Sequence, residues 1–318
     1  MSGVAVSDDF VRTFRLDTAG VRGRQVRLGH ALDTILAQHD YPQPVSHLLG
    51  ELIALAALLS STIKYDGVFT VQTSSNGLLS MMVADVTSTG ALRGYAEFDA
   101  DALAALPAAN DENSAQNLLG VGHLAFTVDQ KLGSNRYQGI VALEGASLSD
   151  CAHNYFHQSE QIATVIQLAA ERSNGCWRAG ALMVQREPAN GGNNRPLGHE
   201  AWPETLGTPL VDQETEEEWR RVAVLMCSVT AGELLDPTLA SDRLLLRLFH
   251  EETVRAYSPR PLTFGCRCSR DRMEATIKGL PRDEIEKLIV DRRVIVTCQF
   301  CNKTETFGEL ELDAIYAA

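Results

Sequence analysis

The chain has 318 residues, 45% of them hydrophobic, with 28 basic and 41 acidic side chains and a formal charge of -13. Such a length fits about two domains and such a composition fits packed cores, which argues against a disordered or fibrous chain. The acidic balance repels nucleic-acid phosphates and anionic membrane surfaces, so a general nucleic-acid binder and a membrane-surface protein are disfavoured.

The first residues, MSGVAVSDDFVRTF, show neither a basic n-region nor an apolar h-region. The expectation is a cytoplasmic chain whose seven cysteines sit in a reducing compartment, where a cysteine cluster serves metal or redox chemistry more often than a disulfide framework. Residues 10–16 alternate apolar and polar, predicting a strand, whereas 30–40 and 44–63 carry helical spacing. The most apolar stretch, 48–63, is 16 residues long and contains Glu51. It falls short of the ~20 residues that cross a bilayer and reads as a buried core helix.

Two β-rich runs, 67–74 and 78–86, flank Ser75-Asn76-Gly77. Asn-Gly between such runs predicts a hairpin because both residues tolerate positive φ. Further strands are predicted over 92–98, 123–128, 137–143 and 177–185, with a helix over 149–159. Residues 188–209 hold four prolines and four glycines and read as a loop or linker. Beyond them, 214–229 opens with acidic residues and then places Trp219, Val222, Ala223, Leu225, Met226 and Val229 at helical spacing. Asp236-Pro237 predicts the start of a second helix reaching about His250.

The tail from Arg260 onward has ten basic and ten acidic residues, so the whole charge of -13 belongs to what precedes it. So small a unit buries a marginal core and calls for a staple. The staple is Cys266-Arg-Cys268, then 29 residues, then Cys298-Gln-Phe-Cys301. Zinc prefers four sulfur or nitrogen ligands in a tetrahedron, and no histidine follows His250, so four sulfurs are the expected set. A closed shell leaves no open position for a substrate, which argues against zinc hydrolysis. The CxC pair departs from the two CxxC pairs of a zinc ribbon and hints at redox chemistry. Arg267, Arg270 and Arg272 either offset the excess thiolate charge or form a solvated surface. Between the pairs, 269–278 predicts a helix stopped by Gly279, 282–290 a second one started by Pro281, and 294–297 a short strand. Cys151, Cys176 and Cys227 lack paired spacing and read as small buried hydrophobes.

The chain resembles the bacterial redox-regulated holdase chaperones called heat-shock protein 33. The resemblance covers nearly the whole sequence and rests on FGCRCSRDRM, on LLRLFHEETVRAY, on NRYQGIVALEGASLSDCAHNYFHQSEQ and on CxC followed about thirty residues later by CxxC. It implies an α+β fold with a mixed sheet-and-helix core over 1–212, a helical linker over 213–265 and a zinc-binding redox-switch domain over 266–318. It implies that Cys266, Cys268, Cys298 and Cys301 hold one zinc per chain when reduced. Oxidation would convert them to two disulfides, expel the metal and unfold tail and linker, exposing a surface for unfolding client proteins under stress. The active form is expected as a homodimer, without ATP, nucleic acid or membrane. Four cysteines allow three pairings, and sequence proximity alone favours Cys266 with Cys268 and Cys298 with Cys301. The chain departs from the family at Ser159-Glu160-Gln161-Ile162-Ala163, where an apolar residue and proline usually follow SEQ, and residues 188–209 resemble an insertion.

Other chemistry finds little support. Gly120-Val-Gly122-His-Leu-Ala125 matches a dinucleotide fingerprint, but β-branched and aromatic residues follow where a helix should open. No Gly-Lys step, GxSxG elbow or HExxH occurs, and His153 with His157 reads as a surface pair. The chain is therefore expected not to be an enzyme. The competing readings are a zinc module for a specific protein or nucleic acid, and a thiol oxidoreductase; the charge opposes nucleic acid, and CxC lacks a thioredoxin-like context.

Overall fold

The computed structural model describes residues 8–105, 115–130, 137–145, 147–187 and 213–317. The chain opens with an antiparallel pair, β1 (Phe10–Leu16) and β2 (Val21–Leu28), whose register sets Arg12, Phe14 and Leu16 opposite Gln25, Gly23 and Val21. Period-two alternation then sends Val11, Val26 and Leu28 to the other face. Gly23 is required here, since a Cβ would meet the Phe14 ring at 1.9 Å.

Helices α1 (His30–Leu36) and α2 (Gln43–Ser60) follow. Among the described residues α2 is the one helix long and apolar enough to cross a membrane, yet 78% of it is buried inside the protein, as a core helix should be. It packs between two sheets. One is built from β3 (Gly67–Ser75), β4 (Met81–Thr87), β5 (Ala91–Glu97), β6 (Gly122–Gln130) and β7 (Tyr137–Ala142), with short helices α3 (Ala100–Ala104) and α4 (Ala115–Leu119) before β6. The other joins β1 and β2 to β8 (Thr164–Ser173) and β9 (Cys176–Arg186), which follow α5 (Leu148–Tyr155) and a π-helical turn at Phe156–Glu160.

Residues 213–265, the expected linker, supply α6 (Gln213–Cys227), α7 (Ala231–Leu235) and α8 (Ser241–Leu248), then three short strands, β10 (Val254–Ala256), β11 (Arg260–Pro261) and β12 (Thr263–Phe264). β10 and β11 pair with β1, giving the order β10-β1-β2-β9-β8, and β12 joins the edge of the other sheet in the order β12-β5-β4-β3-β6-β7. The tail holds α9 (Arg270–Lys278), α10 (Arg282–Glu286), the hairpin β13 (Arg293–Thr297) and β14 (Thr304–Gly308), and α11 (Glu309–Ala317). This mixture of sheets and helices is the α+β class expected.

Three apolar clusters follow from these layers. The largest lies between the sheets around α1 and α2. A second forms where Val222, Met226, Leu234, Leu244, Leu245, Leu248 and Phe249 cover the outer face of the β1-β2-β9-β8 sheet, over Phe14, Leu16, Val21, Leu182 and Val184. Each large apolar side chain so buried is worth ~1.5–3 kcal/mol, so the linker helices are held chiefly by this face. The third is confined to the tail and has only Met273, Ile277, Ile285, Val294, Phe307 and Leu312 as buried members.

Several expectations need correction. The β3–β4 connection is a longer loop closed by Ser75 N–H on the Ser80 carbonyl, and neither Asn76 nor Gly77 has positive φ. Gly77 is needed for a different reason: a Cβ there would meet the Leu118 carbonyl oxygen at 2.3 Å. Asp236 ends α7 instead of starting a helix, its carboxylate accepting from the Thr238 N–H and hydroxyl, and Ala240 precedes α8. The helix after Pro281 stops at Glu286, well before 290. Gly120–Ala125 leads into strand β6, which excludes a dinucleotide fold context. The Pro- and Gly-rich residues 188–209 lie outside the described residues.

Candidate metal centre

Two chain reversals build the site. Strand β12 runs parallel to β5, and Gly265 N–H donates to the Leu92 carbonyl at 2.9 Å, so the chain leaves the core sheet directly before Cys266. Three residues later Ser269 caps α9, its hydroxyl accepting from Arg272 N–H at 3.3 Å. The CxC pair is thereby fixed between a strand end and a helix start. The second pair sits in the β13–β14 turn, where Cys298 N–H reaches the Lys303 carbonyl at 2.9 Å, Asn302 N–H reaches the Cys298 carbonyl at 2.9 Å, and Asn302 takes φ 52°.

The structure brings all four predicted cysteines together, with every Sγ within 4.8 Å of the others. Cys266 and Cys298 sulfurs are 3.7 Å apart, and Cys268 and Cys301 sulfurs 3.4 Å. A tetrahedral ion with four Zn–S bonds of about 2.3 Å separates its sulfurs by about 3.8 Å, so the donor set and spacing fit zinc. Burial pushes the Cys266 thiol up, but the Cys268 backbone N–H and the neighbouring sulfurs more than offset it, leaving it at about 7. Burial, reinforced for Cys268 by the adjacent sulfurs, raises Cys268 and Cys301.

Of the three arginines, Arg272 is exposed, in line with the solvated-surface reading, while Arg267 and Arg270 are held by carboxylates. Arg267 donates to Asp85 at 2.6 Å, Arg270 pairs with Glu305 at 3.1 Å and Glu311 at 2.7 Å, and Arg272 donates to the Arg267 carbonyl at 2.8 Å. Arg270 also lies over the Phe307 ring at 4.5 Å, tying α9 to β14. The guanidinium that faces a sulfur is Arg93 of β5, whose nitrogen is 4.0 Å from Cys266 Sγ. Thr70, Asp85 and Arg93 are register partners on three adjacent strands, and their side chains share the face turned away from α2. Asp85 accepts from Thr70 at 2.6 Å and from Arg93 Nε at 2.7 Å, and is itself only 4% exposed.

The second pair docks on the same face. Phe300 lies 3.7 Å from the Arg93 guanidinium and 6.2 Å from the Tyr95 ring, His39 Nε2 donates to the Gln299 carbonyl at 2.6 Å, and Asn302 donates to the Gln38 carbonyl. Sequence reasoning missed Asp85, Arg93, Tyr95 and His39. No local signal marks them, because their role comes from cross-strand register and a contact across more than 170 residues.

Outside the centre, Cys151 is buried, whereas Cys176 and Cys227 are exposed, contrary to the expectation. Of the histidine pair, His157 is exposed as expected, whereas His153 is half-buried: its Nε2 accepts from Ile166 N–H at 2.7 Å, and burial lowers its pKa.

A model of the family described as Hsp33 protein matches residues 9–308. A protein of Caulobacter vibrioides named 33 kDa chaperonin is 37% identical over 303 residues, covering 94% of each chain. Its namesake in Ectopseudomonas mendocina is 37% identical over 312 residues, covering 98% of this chain and 96% of that one. The crystal structure of the 33 kDa chaperonin of Thermotoga maritima superposes with a TM-score of 0.77 at 20% identity, covering 98% of both chains. These relatives are named for chaperoning and for no enzymatic reaction. The chain belongs to the Hsp33 family of chaperones.

Proposed function

We propose that the protein is a redox-regulated, ATP-independent holdase whose four-cysteine centre controls the linker cover on the β1-β2-β9-β8 sheet. The observation that carries this reading is the placement of a four-sulfur cluster on a tail whose own core has six buried apolar residues. So small a core depends on its staple, since a structural zinc supplies ~10–16 kcal/mol in finger peptides.

In the reduced state Cys266, Cys268, Cys298 and Cys301 would hold one zinc, which supplies the cross-link for the tail. Hydrogen peroxide takes two electrons from each cysteine pair. One thiolate attacks an oxygen, giving a sulfenic acid and hydroxide; a second thiol then displaces hydroxide from that sulfur, giving a disulfide and water. A disulfide lacks the thiolate charge that binds a cation, so ligation fails and the tail unfolds. All pairs are close in the reduced cluster, so closeness there does not select a pairing. Once the tail loosens, loop length decides, and Cys266 with Cys268 and Cys298 with Cys301 close the shortest loops.

The linker cover is poised to follow. Arg27, nearly buried, donates to the Leu239 carbonyl at 2.6 Å and to that of Asp236, and burial lowers its pKa. Among the described residues, Gln25 Nε2 and Glu252 Oε2 are buried without a hydrogen-bond partner. Removing the linker returns these groups to water, which offsets part of the apolar loss. It uncovers Phe14, Leu16, Val21, Leu182 and Val184 for the apolar segments of an unfolding client. This reading places the protein in the cytoplasm, as a homodimer when active, with no nucleic-acid or membrane partner; the charge of -13 supports the last two.

The test is light scattering from a heat-unfolding client. The peroxide-treated protein suppresses aggregation without nucleotide, while the reduced zinc-loaded protein does not; equal suppression by both would defeat the proposal.

A further inference from the structure

The tail covers a second surface, on the opposite side of the core from the linker. Asp85, Arg93 and Tyr95 stand on the face of the β5-β4-β3 strands turned away from α2, and Phe300 is seated on them. The main chain beside Phe300 is held too, through the bond from His39 to the Gln299 carbonyl. Aromatic surface continues from Tyr95 to His39 at 5.6 Å, His39 to Tyr41 at 5.0 Å and Tyr41 to Phe98 at 6.1 Å, along an open cleft of about 370 Å³.

Thr297, Gln299 and Asn302 of the tail close one side of that cleft, but its core side is braced by the core's own contacts. Arg93 donates to Asp85 through Nε and a terminal nitrogen at 2.7 and 2.6 Å, and the Tyr41 hydroxyl accepts from Ala96 N–H at 3.1 Å. When Arg267 departs, Asp85 keeps Arg93 in place, so the cradle stays organised and little ordering cost falls on the next occupant. A guanidinium over a ring, a second ring beside it and an imidazole aimed at a carbonyl together read an extended chain with an aromatic side chain. Folded proteins bury such segments and unfolding ones present them.

We infer that this cradle is a client-binding site masked by the tail's own Phe300, and that it takes an extended, aromatic-bearing segment of an unfolding protein once the tail has left. The inference rests on the proposed release of the tail.

The probe is a fluorescein-labelled peptide spanning 296–303 with serines at the two cysteine positions, titrated against the full-length protein by fluorescence anisotropy. The oxidised protein binds it at least ~10-fold more tightly than the reduced zinc-loaded protein, and Tyr95→Ala or a Phe300→Ala peptide each weakens binding roughly five- to tenfold. Ile140→Ala, an exposed position on β7, changes nothing. In the reduced protein Tyr95→Ala acts in the opposite sense, speeding peroxide-driven zinc release, because it removes a contact that docks the tail. A chain carrying both Arg267→Gln and Phe300→Ala, with release of the tail checked by hydrogen exchange across 297–303, reads the cradle with no oxidant. Peptide binding there that depends on Tyr95 supports the site even if peroxide fails to release the tail, a failure that would count against the switch alone. Equal binding of the two peptides, indifferent to Tyr95→Ala, overturns the site.

Discussion

Arg267, the residue between the two cysteines of the first pair, donates to Asp85 of the core sheet at 2.6 Å. Asp85 also holds Arg93, which lies against Phe300 between the cysteines of the second pair. One buried carboxylate therefore reaches both halves of the four-cysteine cluster. In the proposed switch it would couple docking of the tail to integrity of that cluster.

The first prediction concerns that coupling. Arg267→Gln removes a charge-assisted hydrogen bond worth roughly 1.5–3 kcal/mol, while Asp85 keeps Arg93 and Thr70. The variant should still fold and bind zinc, but release it at lower peroxide. Zinc release followed with a chromophoric chelator checks this; a release curve matching the unaltered protein would show that the Asp85 contact does not restrain the centre.

The ligand set gives the second. Each of Cys266→Ser, Cys268→Ser, Cys298→Ser and Cys301→Ser should lower zinc below one per chain and increase hydrogen exchange across 266–317. The apolar cluster of the tail is too small to hold without a staple. A serine variant with full zinc content at unchanged affinity removes that cysteine from the set.

The third addresses the linker cover. Met226 is fully buried over the β1-β2-β9-β8 sheet, and truncating it costs ~2–5 kcal/mol as a cavity. Met226→Ala should make the reduced, zinc-loaded protein suppress aggregation in part. Val224 on the same helix is 66% exposed, so Val224→Ala should leave the reduced protein inactive. Inactivity of both variants, with the linker shown by exchange to be open in the first, would mean the uncovered face does not bind clients.

A pH effect follows from His153. Burial lowers its pKa from the ordinary 6.5, with Asp150 opposing, so the unfolded chain takes up a proton more readily than the folded one. Above 6.5 both states are neutral and the contact is at full strength. Stability is lost as pH falls below 6.5 and the loss levels off once the folded histidine also titrates. Protonation also removes the acceptor for Ile166 N–H. Exchange at Ile166 should rise between pH 7 and 5, and His153→Gln, which keeps an acceptor, should flatten that rise. An unchanged slope in the variant would assign the effect elsewhere.

Local patterns were legible where local physics decides. Alternation from Thr13 to Leu16 marked β1, Ser269 and Gly279 framed α9, and paired cysteine spacing led to the four sulfurs. Strand β2, VRGRQVRL, was not read, because three arginines hide its alternation; Arg24 and Arg27 are buried only through tertiary partners. The capping box of α7, Thr230 with Glu233, was present but was overshadowed by Asp236-Pro237, a stronger-looking start that serves as a stop. The core side of the docking surface could not be read at all. Asp85 is an ordinary strand aspartate until register brings Thr70 and Arg93 beside it and the tail folds over them.

Hydrogen exchange of the full-length protein, reduced with zinc against peroxide-treated and zinc-free, reads tail and linker in one measurement. Control of the linker by the four-cysteine centre requires a large rise across the tail, 266–317, together with Val222 to Phe249, while β2, β9 and α2 stay protected. A tail that opens while Val222, Met226, Leu245 and Phe249 keep their protection would contradict it.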